Sequence, residues 1–374
     1  MSSPRDVDVE ITSRCNLRCD YCFFFDNPAF AYRDLPTREW LQFFEELGAC
    51  AVMRVCLGGG EPFARGDLPE LLEGIVHNRM RFSILSNGGL VRDDVAALVA
   101  RTGRCDSVQI SVDGSCAEVH DRCRGPGSFA GAMAGIGILQ RHGVAVTARV
   151  TVNRQNVQDL EAIARLLLEE LGLPGFTTNS AGYLGSCQRN ADRVLLTVPD
   201  RQRSMELLLL LSERYPGRLD AQAGPHAEAR IWGEMERARR CAISPFPQGG
   251  RLTGCGCPWS KMAVRPDGVM VPCTMLVHLG LGRINRDPLD EVWRSAPALD
   301  RLRRRSEIAL TGFELCSGCP YVTYCTGNCP GLAFALLGNV DHPSPDACLR
   351  AYLGQGGRLP GLPGDAVDVA RSAG

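Results

Sequence analysis

Six short segments rich in β-branched residues alternate with six longer amphipathic segments between residues 7 and 215. The short segments predict strands, and the long ones predict helices because their apolar residues recur at helical spacing. Strand–helix alternation produces right-handed parallel crossovers around one sheet. Six such units predict an α/β fold with a partial (β/α)6 barrel, two units short of the usual eight.

The predicted strands cover residues 7–11, 53–57, 82–85, 107–112, 144–152 and 175–178. The predicted helices cover residues 37–50, 68–78, 92–102, 129–142, 157–171 and 200–215. In barrels of this kind the chemically active residues follow the carboxyl ends of the strands. We therefore expect the site residues in the loops after these strands.

Three cysteines follow the first predicted strand, Cys15, Cys19 and Cys22, at the spacing C-x3-C-x2-C. This spacing can place three thiolates on one compact loop, and soft sulfur ligands favour an iron–sulfur cluster over hard cations. Three ligands leave one iron of a [4Fe–4S] cluster open to a cofactor or substrate. For an arbitrary motif of this spacing the alternative is a zinc site or three buried thiols.

The next three strands also end in residues typical of ligand sites. The sequence Gly-Gly-Gly-Glu-Pro occupies residues 58–62, Ser-Asn-Gly-Gly occupies 86–89, and Ser-Val-Asp-Gly occupies 111–114. A run of glycines lets a ligand approach the backbone closely. Turn formation alone also explains the Asn-Gly and Asp-Gly pairs.

The cysteine motif, with Tyr21 before its last cysteine, and the Gly-Gly-Glu-Pro sequence of residues 59–62 resemble the signatures of the radical S-adenosylmethionine (SAM) enzymes. The resemblance implies a [4Fe–4S] cluster on the three cysteines of the motif. It implies that the SAM amino group is held by Gly59, Gly60, Glu61 and Pro62. It further implies polar contacts to the SAM carboxylate and ribose from Ser86, Asn87, Ser111 and Asp113, a carboxylate contact from Arg124, and Asn153 near the adenine.

The sixth predicted strand leads into residues 179–187, which the resemblance puts at the barrel mouth where a substrate radical forms. Tyr183 and Cys187 are the candidate catalytic side chains in this loop. The thiol of Cys187 could donate a hydrogen atom to a substrate radical. Free cysteines are more often simply buried, and we favour that interpretation of Cys187.

Seven cysteines in the last third of the chain form a second pattern: Cys257, Cys273, Cys316, Cys319, Cys325, Cys329 and Cys348. A single C-x2-C pair would suggest zinc. Seven cysteines in this order resemble the SPASM domain of radical SAM enzymes that act on peptides. The resemblance implies two auxiliary [4Fe–4S] clusters, the first on Cys257, Cys273 and Cys329 and the second on Cys316, Cys319, Cys325 and Cys348.

The first auxiliary cluster then lacks a fourth ligand. We favour Cys255, because only the flexible Gly256 separates it from Cys257. Cys241 is the next candidate, and an open site is the third alternative. The expected cofactors are therefore three [4Fe–4S] clusters, one of them binding SAM, together with SAM itself.

The sequence divides into four expected parts. Residues 1–215 form the partial barrel, and residues 216–250 form a Pro- and Gly-rich linker around one helix near 227–240. Residues 251–350 form the small cysteine-rich domain, with a β-hairpin near 262–272 and short helices near 290–296 and 298–306. The Gly- and Pro-rich residues 351–374 are predicted to be a disordered tail.

Composition excludes several classes of protein. The formal net charge of −1 gives no general attraction for nucleic acid or an anionic membrane. The N-terminal residues are polar, and no apolar run approaches the roughly 20 residues of a membrane span. Eighteen cysteines without a secretory signal favour cluster ligation in the reducing cytoplasm over disulfides.

The combined resemblance implies an oxidoreductase that cleaves SAM reductively and abstracts hydrogen from a ribosomally made peptide, forming a C–C or thioether cross-link. The amino-acid sequence around the motifs, including residues 23–28, 173–176 and 179–183, is most similar to that of SPASM proteins of the SynChlorMet peptide cassettes. Thr274 after Cys273 stands where sulfatase-maturing enzymes carry an aspartate, which counts against that activity. The expected partners are a precursor peptide and a flavodoxin- or ferredoxin-type reductant.

The way in which a peptide substrate would bind and three alternative functions remain open at this stage. The first strand begins within ten residues of the start, which leaves no room for a leader-binding domain, so a separate leader-binding protein or direct binding of the core peptide is expected. Peptide epimerisation is the second outcome for a peptide substrate. Radical dehydrogenation or epimerisation of a small molecule is the alternative enzyme function, and a zinc-stabilised binding module is the non-enzymatic one.

Overall fold

The computed structural model describes residues 3–25, 32–241, 246–253 and 256–361. Within them the strands are β1 Asp6–Thr12, β2 Arg54–Gly59, β3 Arg81–Ser86, β4 Cys105–Ser111, β5 Val146–Val152, β6 Phe176–Ser180, β7 Leu219–Ala221, β8 Lys261–Val264, β9 Val269–Val271 and β10 Gly282–Arg283. They form one sheet in the order β10-β9-β8-β1-β2-β3-β4-β5-β6-β7.

The strands β1 to β6 lie side by side in chain order, and each pairs in parallel with the next. A helix or helices cross over between consecutive strands, as right-handed parallel connections require. All six strands predicted from the sequence are present, so the predicted partial (β/α)6 core is confirmed.

The helices of the described residues are α1 Thr37–Ala49, α2 Leu68–His77, α3 Asp93–Thr102, α4 Ala117–Arg124, α5 Ser128–Arg141, α6 Leu160–Arg165, α7 Ser186–Arg189, α8 Ala191–Val194, α9 Val198–Arg214, α10 Pro225–Arg240, α11 Cys257–Ser260, α12 Leu289–Ser295, α13 Pro297–Arg304, α14 Pro330–Leu337 and α15 Leu349–Gly354. A short π-helix, Leu166–Glu170, extends α6. None of the described helices has the length and apolarity that a membrane span requires.

The two faces of the sheet differ in chemistry because successive strand residues point to opposite sides. On β1, Val7, Val9 and Ile11 are fully buried and belong to the main hydrophobic core with the helices. Asp6 and Asp8 alternate with them and are only partly buried. The inner face of β1 is therefore polar, partly open to solvent at Asp6 and Asp8 and buried at Glu10.

Two parts of the sheet were not predicted. The strand β7 pairs in parallel with β6, and α10 packs on α9, so residues 216–250 contain elements that extend the barrel. The predicted hairpin is present as β8 and β9, and β8 also pairs in parallel with β1. The cysteine-rich part of the chain thus shares one continuous sheet with the barrel.

The last third of the chain otherwise consists of short elements, as expected. The two predicted helices correspond to α12 and α13. Arg305, directly after α13, is buried, with its Nε 3.7 Å from the Oδ1 of Asp341. The helix α15 occupies the start of the expected tail, and residues 362–374 lie outside the described part of the chain.

Candidate functional site

The loop that follows β1 carries Cys15, Cys19 and Cys22, all partly buried. Distant segments of the backbone hold this loop: the N–H of Asp20 donates to the carbonyl of Cys123 at 2.8 Å, and the N–H of Ser186 donates to the carbonyl of Cys22 at 2.8 Å. Burial raises the pKa of the Cys19 thiol to about 12. A soft metal centre would hold such buried sulfurs as thiolates, so the donor set fits an iron–sulfur cluster.

The glycines after β2 allow the second strand end to lie directly against the cysteine loop. The N–H of Gly60 donates to the Thr12 carbonyl at 2.8 Å, and that of Glu61 donates to the Arg14 carbonyl at 2.8 Å. A Cβ atom on Gly60 would lie 2.1 Å from the Arg14 carbonyl oxygen. No other residue fits at position 60 unless one of the two backbones moves.

Glu61 joins the ends of β2 and β3 through its buried carboxylate. One carboxylate oxygen accepts from the Phe63 N–H at 3.1 Å and from the Ser86 hydroxyl at 2.9 Å, and the other accepts from the Asn87 N–H at 2.8 Å. Both oxygens of the Glu61 carboxylate therefore accept hydrogen bonds from the protein itself. If this segment binds an amino group, the backbone of residues 59–62, rather than the Glu61 side chain, would make the contact.

Asn87 connects the third strand end to the cysteine loop. Its side-chain amide donates to Asn16 Oδ1 at 2.8 Å and lies 3.8 Å from the Sγ of Cys15. Asn16, which we did not predict, belongs to the same contact. The chain thus brings together Asn87 and the first cysteine of the motif.

Asp113 is completely buried and is paired inside the protein. One oxygen accepts from the Arg124 Nε at 2.5 Å and from the Tyr21 hydroxyl, and the other accepts from the Thr151 N–H at 2.6 Å. Arg124 is also buried, and its Nη1 lies 3.9 Å from the Sγ of Cys19. This pair positions the cysteine loop. The Asp113 carboxylate balances the charge of Arg124, the residue that we expected to contact the SAM carboxylate.

The end of β5 is closed by a network of side-chain amides. Asn153 is buried, donates to the Thr151 carbonyl at 2.9 Å and accepts from the Gln155 N–H at 2.9 Å. Asn156, which we did not predict, donates to the carbonyls of Asp113 and Thr151. Ser111, in contrast, is only partly buried at the end of β4.

The loop after β6 folds over the cysteine loop at Gly185. This glycine has a φ of +58°, and an added Cβ would lie 2.5 Å from the carbonyl oxygen of Phe25, so the close approach requires glycine. Cys187 is completely buried in a small cluster with Tyr21 and Cys123, and burial raises its pKa to about 11. Tyr183 is exposed. The two candidate catalytic residues therefore have opposite environments, and the thiol is not at an open barrel mouth.

The cysteines expected to hold the second auxiliary cluster line one common cavity. Cys316, Cys319, Cys325 and Cys348 all line it, and their thiols interact electrostatically, which together with burial raises the pKa of Cys316 to about 11. Among the described residues, no three His, Cys, Asp or Glu side chains converge as they would around one metal ion. A four-iron cluster separates its ligands more widely than a tetrahedral zinc ion does, so the cavity fits a cluster better.

The cysteines expected to hold the first auxiliary cluster lie on three separate elements. Cys257 begins α11, Cys273 follows β9, and Cys329 precedes α14, and all three are partly buried. Cys241 follows α10 and is exposed. Cys255, the favoured fourth ligand, lies outside the described residues.

Comparison with known proteins identifies two domains. The profile of the radical SAM superfamily matches residues 9–167, and that of the SPASM iron–sulfur cluster-binding domain matches residues 255–320. The two matched segments contain the motif cysteines and the start of the second cysteine pattern, respectively. The sequence resemblance to both domains is confirmed.

Similar proteins cover nearly the whole chain. The PqqA peptide cyclase of Ruegeria pomeroyi is 28% identical over 93% of this chain and 88% of its own length. The Fe-coproporphyrin III synthase of Methanosarcina barkeri is 29% identical over 90% of this chain and 86% of its own length. The crystal structure of Streptococcus suis SuiB bound to precursor peptide SuiA superposes with a TM-score of 0.70 at 16% identity, covering 93% of this chain and 76% of that one, which shows a shared fold.

Proposed function

This chain belongs to the radical SAM proteins that carry a SPASM domain, and we propose that it matures a ribosomally made peptide. The observation that carries the proposal is the joint presence of two cysteine sets, one in the barrel and one in the cysteine-rich part of the chain, and the strands of these two parts form one continuous sheet. One set follows β1 in the position of a SAM-binding cluster, and the other surrounds a cavity in the SPASM domain. Among the relatives, one is named for a peptide as its substrate.

The first site would use Cys15, Cys19 and Cys22 as cluster ligands and the backbone of residues 59–62 for the SAM amino group. A bound cluster with SAM would supply the radical chemistry that abstracts hydrogen from an unactivated carbon. Asp113 and Arg124 position the loop through the contacts to Tyr21 and Cys19. Ser111 is the partly exposed polar side chain best placed for a direct contact.

We propose three [4Fe–4S] clusters in total and an oxidative outcome. Closing a C–C or thioether bond removes two hydrogens from the peptide: one leaves as a hydrogen atom to the 5′-deoxyadenosyl radical, and the other leaves as a proton and an electron. An auxiliary cluster on the SPASM cysteines would accept that electron. The complete burial of Cys187 supports this outcome over epimerisation, which would require a hydrogen donor at the substrate.

The proposed reaction requires partners. A flavodoxin- or ferredoxin-type reductant would supply the electron for SAM cleavage. A separate leader-binding protein, or the barrel mouth itself, would present the precursor peptide. We propose a cytoplasmic setting, because free thiols and iron–sulfur clusters persist under reducing conditions.

A small molecule is the second candidate substrate. The Methanosarcina barkeri relative, which is as similar as the peptide cyclase, is named for the synthesis of a coproporphyrin. The fold and the SPASM cysteines do not by themselves distinguish the two substrate classes. The alternative reaction would be a radical oxidation or epimerisation within the same barrel.

Co-expression with short open reading frames from neighbouring genes, followed by mass spectrometry, tests the proposal. We expect one encoded peptide to lose two hydrogens, and the loss should disappear when Cys15 is replaced by alanine. The Cys116→Ala variant, which removes an exposed thiol outside both patterns, is the matched control and should retain the modification. An unmodified peptide set together with turnover of a small metabolite would replace the peptide proposal with its alternative.

A further inference from the structure

The inner face of the partial barrel contains one arginine whose charge is not balanced by the protein. Arg149 is the fourth residue of β5 and is partly buried. Its neighbours in the sheet register are Ser111 on β4 and Thr177 on β6. The alternating residues Ala148 and Val150 are fully buried on the other face, so Arg149 projects into the barrel.

Three other arginines with little exposure each have a carboxylate partner. Arg65 pairs with Asp67, Arg124 with Asp113 and Arg201 with Glu228. Within the described residues, Arg149 forms no ion pair. Its Nε donates a hydrogen bond to the Oε1 of Gln109 at 3.2 Å. Burial lowers the pKa of Arg149, which means that its charged form is under-solvated.

The hydrogen bond to Gln109 fixes the orientation of the guanidinium. Gln109 in turn donates from Nε2 to the hydroxyl of Thr177 at 3.3 Å, so β4, β5 and β6 are linked in one chain of contacts. The Nε is occupied by this bond, and the terminal nitrogens Nη1 and Nη2 are left for a ligand. A guanidinium held in this way presents a planar pair of donors that matches a carboxylate.

The position of Arg149 favours a substrate group over SAM. The contacts proposed for SAM lie at the carboxyl ends of the strands. Arg149 turns instead toward Gln109, two residues before the end of β4, and its charge interacts with Cys56 in the middle of β2 as well as with Asp113 beyond the end of β4. A group that binds there would enter the barrel below the strand ends.

We propose that Arg149 is a carboxylate receptor in the barrel lumen and that it binds an acidic side chain of the peptide substrate. The inference rests on the proposed function for the peptide part only, since the receptor itself is defined by Arg149, Gln109 and Thr177. A C-terminal carboxylate or a carboxylated small molecule would present the same chemical group. The experiment below distinguishes these sources.

The test measures retention of synthetic probes by the reconstituted holoenzyme with SAM, using ultrafiltration and mass spectrometry. The probes are acetylated and amidated hexapeptide pools with a fixed central Glu or Gln, the Gln pool with a free C-terminal carboxylate, and glutarate. We expect the Glu pool to be retained about tenfold to a hundredfold better than the Gln pool, because hydrogen bonds to charged groups give ratios of this size. The Arg149→Gln variant should lose this preference.

Two further variants keep the test decisive. Arg154→Gln removes an exposed arginine just beyond β5, whose Nη1 donates to the Asp192 carbonyl, and should keep the preference. Gln109→Glu leaves Arg149 in place but gives it an internal carboxylate, and should abolish the preference as Arg149→Gln does. This second variant answers the question even if Arg149→Gln does not fold.

Each outcome has one meaning. A preference confined to the free C-terminal pool and dependent on Arg149 supports the receptor and identifies the C-terminus as its ligand. Arg149-dependent binding of glutarate without retention of any peptide supports the receptor and contradicts the peptide function. Equal retention of all three peptide pools without Arg149-dependent binding of glutarate overturns the receptor, and so does a loss of SAM binding in Arg149→Gln without a change in peptide retention.

Discussion

The two cysteine-bearing regions of the chain are held together by different kinds of contact. The loop with Cys15, Cys19 and Cys22 is tied to residues that are far away in the sequence, such as Cys123 and Ser186. Cys316, Cys319, Cys325 and Cys348 each donate their backbone N–H to a carbonyl only three residues earlier. Every cysteine of the second set thus lies in a local turn, although distant contacts, such as that of the Gly250 N–H with the Cys325 carbonyl, reach this set as well.

This difference predicts how each region depends on its cluster. In the barrel, contacts such as that of Asn87 to Asn16 join strand ends without any metal, so the loop should keep its shape when empty. Around the SPASM cavity the chain is built from short turns, and ligation supplies much of the folding free energy in metal-stabilised domains of this kind. The predictions below test that contrast.

Replacing Cys15, Cys19 and Cys22 together with alanine should have the largest effect. We expect about four irons fewer per chain and no SAM cleavage, because the chemistry of the cluster requires all three thiolates. The melting temperature should change by only a few degrees, since the distant backbone contacts remain. Iron analysis, 5′-deoxyadenosine assays and thermal melting measure the three effects.

The triple variant can contradict the contrast in two ways. Continued formation of 5′-deoxyadenosine would show that the motif does not bind the SAM cluster. Unfolding of the barrel would show that the loop is not preformed. Cys116→Ala, an exposed position, is the control for thiol loss alone.

Removing one ligand of the second set, Cys316→Ala, should affect product formation rather than SAM cleavage. We expect the rate of SAM cleavage to stay within about twofold of the wild type and the product yield to fall at least about a hundredfold. The reason is that the proposed auxiliary cluster would accept the electron that leaves the substrate, and would not take part in SAM cleavage. Limited proteolysis should cut residues 310–350 faster than in the wild type. Normal product yield with a measured loss of iron would contradict the redox role.

Replacing Asp113 by asparagine should destabilise the barrel more than any surface change. The variant leaves the buried charge of Arg124 uncompensated, and removing one partner of a buried pair typically costs about 3–5 kcal/mol. Asp106→Asn breaks the half-exposed pair with Arg81 and should cost about 0–1 kcal/mol. Urea denaturation of both variants gives the comparison, and equal costs would contradict the positioning role of Asp113.

The sequence predicted the elements well because their signals are local. All six barrel strands and the hairpin follow from β-branched runs bounded by turns, and the cysteine spacing identified both sites. The strand β7 has only three residues, which is too short for a periodic signal. The parallel pairing of β8 with β1 joins segments about 250 residues apart, so no local pattern could reveal it.

The site residues were predicted by type but not by contact. Asp113 and Arg124 were both selected, yet their pairing with each other follows from the fold, because β4 and α4 bring them together. Asn16 and Asn156 carry no motif of their own and were missed. Cys187 is buried, as we favoured from the sequence, but its cluster with Tyr21 and Cys123 follows from the fold and carries no local signal.

The pH dependence of stability should also distinguish the two regions, with a smaller effect than the substitutions above. A glutamate of the barrel and a glutamate that contacts the SPASM region have shifted pKa values, and the two shifts have opposite signs. Burial and the neighbouring Asp8 raise the pKa of Glu10 on β1 from 4.5 to about 8. Hydrogen bonds from Arg239, Arg240 and Tyr321 lower the pKa of Glu236 on α10 from 4.5 to about 2. Tyr321 belongs to the SPASM region, so Glu236 connects that region to α10.

Since the folded barrel binds the Glu10 proton more tightly than the unfolded chain, its contribution is complete below pH 4.5 and is lost as the pH rises through about 8. Glu236 behaves oppositely, and its contribution is present above pH 4.5 and is lost as the pH falls toward about 2. We therefore expect Glu10→Gln to flatten the decline in thermal stability between pH 5 and about 8, and Glu236→Gln to remove part of the decline below pH 4.5. Melting curves of both variants across pH, together with limited proteolysis near Tyr321, measure this. If both substitutions flatten the same limb of the pH profile, the two regions do not respond independently to protonation, and the contrast between a preformed barrel site and a locally built SPASM site loses its support.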